Sequence, residues 1–179
     1  MRTTTTTKRA RNTNFDNRKT DEGSLSVFLK VRRHRMKKVN IYTDGACRGN
    51  PGAGGWGAVL VYGRYEKELS GGERETTNNR MELLGAISAL EALKEPCEVT
   101  LTSDSKYLTD AFLLGWVDSW RECGWRRGKE ELKNPDLWER LYNLTKIHRV
   151  EFVWVKGHAG HEYNERCDRL ATAFADSFN

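Results

Sequence analysis

The sequence predicts an α/β fold in which helices flank a five-stranded mixed sheet, with three antiparallel strands followed by two parallel strands. Three observations support this prediction. Three short segments with strand character follow one another closely between residues 38 and 71. A segment with helical periodicity then precedes a fourth strand, and further helical segments separate that strand from a fifth. A helical crossover of this kind makes the first and fourth strands parallel neighbours.

The first three strands are predicted from alternating apolar residues and turn signals. They span residues 38–44, 56–62 and 65–71, with a tight connection between the second and the third. Asp44 then lies at or near the end of the first strand, unless Asp44-Gly45 forms the hairpin turn that this dipeptide favours. The glycines that follow are interpreted as allowing a ligand to approach the backbone closely; they are Gly49, Gly52, Gly54 and Gly55.

The remaining elements are predicted from capping residues, proline and apolar spacing. Residues 76–79 supply N-cap side chains for the first helix, and Pro96 stops it. The predicted order is a helix over 80–94, a strand over 98–103, one or two helices over 106–124, a helix over 134–145, a strand over 150–155, and a final helix after the loop 156–161.

Charge divides the chain into two parts. Residues 1–35 carry ten basic and three acidic side chains, whereas the remainder carries 20 basic and 22 acidic ones. Because the first part has almost no apolar periodicity, residues 1–37 are predicted to be a disordered basic extension, and residues 38–179 a single catalytic domain. The extension could be inert, a nucleic-acid-gripping arm or a transit peptide, and Met36 is a plausible alternative start.

Hydropathy and cysteine usage narrow the class of protein. The sequence lacks a run of about eighteen apolar residues, which argues against a membrane-spanning helix. The four cysteines are widely separated, with no CxxC pair and no zinc spacing, so they are interpreted as packing residues in a reducing compartment. We expect a cytoplasmic monomer.

Four acidic residues fall at comparable places in the predicted fold. Asp44 and Asp104 end the first and fourth strands, and Glu82 and Asp168 lie in the early turns of two helices. Each one alone is explained as well by a surface acid or a helix-start charge. Four acids that converge where the carboxyl ends of the first and fourth strands lie side by side would repel one another unless divalent cations neutralised them. Oxygen-only ligands favour Mg2+, with Mn2+ as a substitute, and two such ions can promote phosphodiester hydrolysis.

Five motifs in order along residues 38–175 closely resemble ribonuclease H of the small bacterial type 1 class. They are Tyr42-Thr43-Asp44-Gly45 with Gly49-Asn50-Pro51-Gly52, Thr77-Asn78-Asn79-Arg80-Met81-Glu82, Ser103-Asp104-Ser105, the loop from Val155 to His161, and Asn164-Glu165-Arg166-Cys167-Asp168. The resemblance implies endonucleolytic hydrolysis of the RNA strand of RNA–DNA hybrids, leaving 5′-phosphate and 3′-hydroxyl ends. It also implies that Asp44, Glu82, Asp104 and Asp168 bind two Mg2+ ions.

His158 is implied by the same resemblance to assist proton transfer or product release. Glycines at 157 and 160 predict a mobile loop around it, and an imidazole titrates near neutral pH. A surface histidine without a role is the alternative. A zinc pair of His158 and His161 is rejected, because a glycine-rich loop lacks the fixed helical face that such a pair needs.

The resemblance further implies contacts with the hybrid, whose RNA strand is distinguished through 2′-hydroxyls in a shallow minor groove. Positions that match family contacts near the substrate are Gly45, Cys47, Arg48, Asn50, Asn78, Asn79 and Lys106. Thr77 and Asn134 match a pocket for a DNA phosphate, and Trp116 and Trp120 match aromatic residues that line the DNA channel. The two tryptophans, spaced i, i+4, could equally pack in the core.

The segment from Leu113 to Lys133 resembles the basic handle of the family, but four acids offset its five basic side chains. We therefore expect a weaker handle contribution to hybrid affinity. Two other functions stay open: a DNA-cutting nuclease of the same fold, such as an integrase or resolvase, and a non-catalytic hybrid-binding module. The asparagines at 50, 78 and 79 argue against the first, and the complete set of four carboxylates argues against the second.

Overall fold

A computed structural model of the protein describes residues 36–178. In chain order its elements are β1 (Lys37–Gly49), β2 (Gly52–Tyr62), β3 (Tyr65–Thr76), α1 (Asn78–Glu91), β4 (Cys97–Ser103), α2 (Lys106–Leu113), α3 (Trp116–Glu122), β5 (Arg126–Arg127), β6 (Glu130–Glu131), α4 (Pro135–Ile147), β7 (Arg149–Trp154) and α5 (Glu162–Asp176). The predicted extension lies outside the described residues, except for Met36 and for Lys37, which begins β1. Among the described residues, no helix has both the length and the hydrophobicity of a membrane-spanning segment.

The sheet has the predicted number of strands and the predicted parallel and antiparallel pairing. Its strand order is β3-β2-β1-β4-β7, with antiparallel pairing among β1, β2 and β3 and parallel pairing of β1 with β4 and of β4 with β7. Helix α1 crosses from β3 to β4, as a parallel connection requires. The mixed α/β prediction is therefore confirmed.

The first strand extends beyond its predicted end. It continues past Asp44 to Gly49 and pairs with β2 along that length, so Asp44-Gly45 is not a hairpin turn. The turn lies instead between Gly49 and Gly52, around a cis Asn50-Pro51 peptide bond. The parallel pairing of β1 with β4 nevertheless ends at Thr43, so Asp44 lies where the two strands separate.

The glycines of this region are required by the protein's own packing, a role that the sequence interpretation assigned instead to ligand approach. A Cβ atom on Gly55 would collide with the carbonyl oxygen of Ala171 in α5, and one on Gly54 would collide with Thr76. Gly49 and Gly52 close the turn, since Gly49 has φ +97° and a Cβ on Gly52 would meet the Arg48 carbonyl. Glycine thus brings α5 and the β2 backbone into direct contact.

Helix α1 packs against the sheet and against α4. Thr77 caps it by accepting a hydrogen bond from the Arg80 amide at 3.4 Å, as the capping residues predict. The helix ends at Glu91 rather than at residue 94, because the chain turns at Ala92 to enter β4 at Cys97. Its buried side chains include Glu82 among apolar neighbours.

Helices cover the sheet on both faces. Helix α1 packs on β1, β2 and α4, whereas α5 packs on β1, β2 and β3. Consecutive residues of β2 show the two faces: Trp56 is next to Gly85 of α1, and a Cβ on Gly57 would collide with α5 at the Cys167 carbonyl. The core between sheet and helices includes Ile41, Leu101 and the fully buried ring of Trp138.

Candidate active site

Three of the four predicted carboxylates converge at the edge where β1 and β4 separate. Asp44, Glu82 and Asp104 each offer an oxygen atom, and these atoms all lie within 4.8 Å of one another. Asp44 lies just beyond the parallel pairing of β1, Asp104 follows β4 directly, and Glu82 projects from the second turn of α1. The parallel strands and the crossover helix therefore bring together residues that are far apart in the sequence.

Burial makes this cluster electrostatically unfavourable without a cation. Asp44 is 6% exposed and Glu82 is 4% exposed. Burial raises the pKa of Asp44 to about 7, with further contributions from the charges of Asp104 and Asp168. Burial also raises the pKa of Glu82 well above its usual range, and the neighbouring charges of Asp44 and Asp104 add to that shift. Both carboxyls thus resist ionisation where they lie.

Gly45 brings the first two acids close together. A Cβ atom at Gly45 would lie 2.7 Å from the Glu82 backbone nitrogen, so only glycine lets β1 approach α1 here. The Gly45 amide donates to Asp44 Oδ1 at 2.8 Å, and the Asn78 side-chain amide donates to Glu82 Oε1 at 3.3 Å. Glu82 Oε2 is buried and has no hydrogen-bond partner among the described residues.

These features fit a hard divalent cation. All of the converging ligand atoms are carboxylate oxygens, the donor type that Mg2+ and Mn2+ prefer. A bound cation would satisfy the unpartnered Glu82 oxygen and would remove the repulsion that raises the pKa of Asp44 and of Glu82. The residues present therefore fit the predicted metal.

Asp168 lies outside the group of three. It is half-buried on α5, and its charge contributes to the raised pKa values of both Asp44 and Arg48. Its carboxylate therefore acts electrostatically on the same region of the molecule.

The loop after β7 packs against Asp104. A Cβ atom on Gly157 would collide with Asp104 Oδ2, and the Trp154 indole donates to the Asp104 carbonyl at 3.0 Å. Lys106 Nζ lies 4.9 Å from the centre of the Trp154 ring. His158, one residue beyond Gly157, is exposed and has φ +52°, in the left-handed region.

Two residues beside Asp104 were not predicted from the sequence. Asn164 donates from Nδ2 to Asp104 Oδ2 at 3.2 Å, and Trp154 holds the backbone at the same residue. Asn164 had a sequence signal, since it precedes Asp168 by four residues and so lies on the same face of α5. Trp154 had none, because an exposed aromatic residue at the end of a strand is common.

The residues predicted to contact substrate around the β1–β2 turn differ in their surroundings. The Asn50 side chain accepts from the Asn78 backbone amide at 3.4 Å, and the Cys47 thiol donates to backbone carbonyls, including that of Thr76 at 3.5 Å. Arg48 forms a bidentate ion pair with Asp176 of α5 at 2.6 and 2.9 Å. Asn79 is exposed at the start of α1.

Comparisons with known proteins identify the family. The family model described as RNase H matches residues 36–176. Ribonuclease H of Acetivibrio thermocellus is 62% identical over 138 residues, covering 76% of this chain and 94% of that protein. The chain belongs to the RNase H family. Ribonuclease H of Rippkaea orientalis is 60% identical over 144 residues, covering 80% of this chain and 88% of that protein.

Solved RNase H structures share the fold. LC9-RNase H1, described as a type 1 RNase H with the type 2 active-site motif, is 33% identical with a TM-score of 0.72, covering 80% of this chain and 74% of that one. LC11-RNase H1, solved in complex with an RNA/DNA hybrid, is 26% identical with a TM-score of 0.61, covering 78% of this chain and 97% of that one. This protein is therefore a ribonuclease H enzyme by its relatives.

The two tryptophans of this RNase H differ in exposure. Trp120 is half-buried and packs edge-on against Trp138 at 5.2 Å. Trp116 is 43% exposed, and its ring centre lies 6.2 Å from that of Trp120. Both line a cavity of about 410 Å³ together with Tyr107. Core packing therefore accounts for Trp120, while Trp116 leaves a ring face accessible.

The predicted phosphate-pocket residues lie at two helix starts. Thr77 caps α1, and Asn134 precedes α4 with φ +55°. Arg80 connects these regions, because its guanidinium contacts Asp136 of α4 at 3.4 Å and Glu73 of β3 at 2.9 Å. The charge of Arg80 is therefore partly neutralised by acids of the protein itself.

The segment from Leu113 to Lys133, which resembles the handle of the family, places opposite charges across a hairpin. Strands β5 and β6 form a two-residue hairpin in which Arg126 is opposite Glu131 and Arg127 is opposite Glu130. All four side chains are exposed. The acids noted in the sequence thus lie directly across from two of the arginines.

Proposed function

We propose that this protein hydrolyses the RNA strand of RNA–DNA hybrids endonucleolytically with two Mg2+ ions, leaving 5′-phosphate and 3′-hydroxyl ends. One observation carries the proposal: three carboxylates from β1, α1 and the end of β4 meet within 4.8 Å, and one of them has a buried oxygen without a partner among the described residues. Family membership and the hybrid bound by LC11-RNase H1 support the choice of substrate.

In this proposal Asp44, Glu82, Asp104 and Asp168 hold the ions. When bound, two such ions supply charge neutralisation, a more acidic water and stabilisation of the leaving oxygen. The chain's own residues prepare that chemistry. The Gly45 and Asn78 donors fix the Asp44 and Glu82 oxygens, and burial excludes bulk water from both carboxylates.

Hybrid recognition is proposed for the rim around this cluster. The Asn78 side-chain amide contacts Glu82, and the Asn50 side chain accepts from the Asn78 backbone amide. We propose that these amides contact a minor groove that displays 2′-hydroxyls. The exposed His158 would move protons during the reaction or product release. The further proposed contacts are Gly45, Cys47, Arg48, Thr77, Asn79, Lys106, Trp116, Trp120 and Asn134.

We also propose a cytoplasmic monomer. All four cysteines are free, and scattered free thiols suit a reducing compartment. Mn2+ is proposed as a substitute ion because the oxygen ligands suit it as well.

The test is cleavage of a labelled RNA–DNA hybrid, with matched duplex DNA and duplex RNA as parallel substrates, in Mg2+ and in EDTA. We expect cleavage of the hybrid RNA strand alone and only with Mg2+. Asp44→Asn should remove cleavage with the fold retained, because one charged ligand is lost at the cluster.

Asp110→Asn is the matched control, since Asp110 lies on α2 outside the cluster. It should cleave like the wild type. Turnover retained by Asp44→Asn, or cleavage of duplex DNA at the same rate as the hybrid, would contradict the proposed function. Sequencing of product ends checks the 5′-phosphate and 3′-hydroxyl assignment.

A further inference from the structure

Asn164 is a buried amide that contacts one carboxylate of the cluster. The residue is 3% exposed, and its Nδ2 donates to Asp104 Oδ2 at 3.2 Å. It lies one turn before Asp168 on α5, so both residues share one helix face. Asn164 therefore joins the carboxylate at the end of β4 to the helix that carries Asp168.

Side-chain contacts fix the first turns of α5 to β3, an edge strand of the sheet. The Tyr163 hydroxyl donates to Glu66 of β3 at 2.6 Å. Arg166 binds Glu66 at 2.7 Å and Glu68 at 2.6 Å. These contacts on either side of Asn164 hold the helix against β3, so the amide is presented from a rigid position.

The orientation of the amide is set by its partner. Asn164 Oδ1 is buried without a hydrogen-bond partner among the described residues. Turning the amide over would direct Oδ1 at a carboxylate oxygen, which also only accepts. The structure therefore retains an unsatisfied acceptor in order to present a donor to Asp104.

Asp104 is the member of the cluster that needs such a donor. It is only half-buried, whereas Asp44 and Glu82 are almost fully buried beside it. Repulsion from two neighbouring carboxylates would favour rotation of Asp104 towards solvent. A neutral amide donor opposes that rotation without adding charge to the cluster.

We propose that Asn164 is a positioning residue, which keeps the Asp104 carboxylate in the cluster so that a divalent cation meets a preformed set of oxygens. This inference rests on the proposed function. Without the amide, Asp104 would have to be ordered when the cation binds, and that ordering costs free energy. Cation affinity would therefore fall, whereas the affinity of other residues for the hybrid would not.

The test is a titration of the full chain with Mg2+ alone. Calorimetry measures the affinity, and NMR spectra monitor the side-chain amide signal of Asn164 during the titration. In the wild type we expect that signal to shift as Mg2+ binds. Asn164→Ala should bind Mg2+ about tenfold more weakly, the scale found for partners that orient metal ligands. Its kcat at fixed Mg2+ should fall to a similar degree, with KM for the hybrid unchanged.

Tyr163→Phe is the matched control, because it removes one hydrogen bond of the same helix while Arg166 still holds that helix against Glu66 and Glu68, and it leaves the carboxylates of the cluster untouched. It should lower Tm and leave Mg2+ affinity unchanged. Wild-type Mg2+ affinity in Asn164→Ala, an equal loss in Tyr163→Phe, or an Asn164 signal that ignores Mg2+ would overturn the inference. Absence of Mg2+ binding by the wild type itself would instead overturn the proposed function. The NMR measurement on the wild type tests the link between Asn164 and Mg2+ binding even where Asn164→Ala does not fold.

Discussion

At the residue scale, the cluster combines acids that the fold stabilises poorly. Asp44 and Glu82 are more than nine-tenths buried, next to each other and to Asp104. No basic side chain is paired with any of the three among the ion pairs of the described residues. Such an arrangement costs stability in the absence of a cation, which is typical of residues retained for function.

The raised pKa of Asp44 predicts how stability depends on pH when metal is removed. The pKa is 3.8 for an ordinary aspartate and about 7 in the fold. The folded state binds the proton of the Asp44 carboxyl more tightly than the unfolded state does. The stabilisation that results is therefore fully present below the ordinary pKa and is lost as pH rises through the folded value. In EDTA, the free energy of unfolding should therefore decrease from pH 4 to pH 8, by the order of a few kcal/mol.

Urea unfolding at a series of pH values measures this effect. Asp44→Asn should show a flatter profile than the wild type, since it removes the titrating group, and Asp110→Asn should not. Addition of Mg2+ at pH 8 should stabilise the wild type and not Asp44→Asn, because only the folded wild type presents the full ligand set. Parallel profiles for wild type and Asp44→Asn would argue against the raised pKa.

At the scale of elements, the handle-like segment from Leu113 to Lys133 carries charges of both signs. Its hairpin places Glu130 and Glu131 across from Arg127 and Arg126. Arginines that lie opposite acids in a hairpin are expected to release fewer counterions from a nucleic acid, because the acids lower the local positive potential. We therefore expect the handle to contribute weakly to hybrid affinity.

A salt titration of hybrid binding tests the handle. The double variant Glu130→Gln/Glu131→Gln should steepen the log–log salt dependence by about one unit for each additional phosphate that the handle binds. Arg126→Gln/Arg127→Gln should make the salt dependence shallower. Arg149→Gln, on the edge strand β7, is the control: it removes one positive charge outside the handle and should leave the slope unchanged. If neither handle double variant changes the slope, the handle does not bind the hybrid phosphates.

At the scale of the whole molecule, the family match and the described fold cover nearly the same part of the chain. The family match spans residues 36–176, and β1 begins at Lys37. The ten basic side chains of residues 1–35 give this segment the opposite net charge from the remainder. The proposed catalytic residues and the proposed substrate contacts all fall after Met36.

We predict that a chain beginning at Met36 folds and cleaves the hybrid with the Tm and kcat of the full chain, because the five strands and all four carboxylates are retained. Thermal unfolding and steady-state kinetics at several salt concentrations measure both quantities. A higher KM that depends on salt, with kcat unchanged, would show instead that residues 1–35 bind nucleic acid.

The sequence by itself determined the order and type of the main elements and the identity of the carboxylates. Alternation in residues 38–44, the cap at Thr77 and the position of Asp104 after a strand are local signals that tertiary packing did not override. The motif resemblance supplied the family, which the relatives then confirmed.

Only the tertiary structure decided how far β1 extends, what its glycines contact and how the acids are held. These features depend on partners distant in the sequence: Gly55 faces α5, Gly45 faces α1, and Asn164 reaches Asp104. Periodicity reports which face of an element is buried, but not which backbone or side chain meets it there. Cluster geometry and the raised pKa of Asp44 therefore arise from packing between elements, which no local pattern encodes.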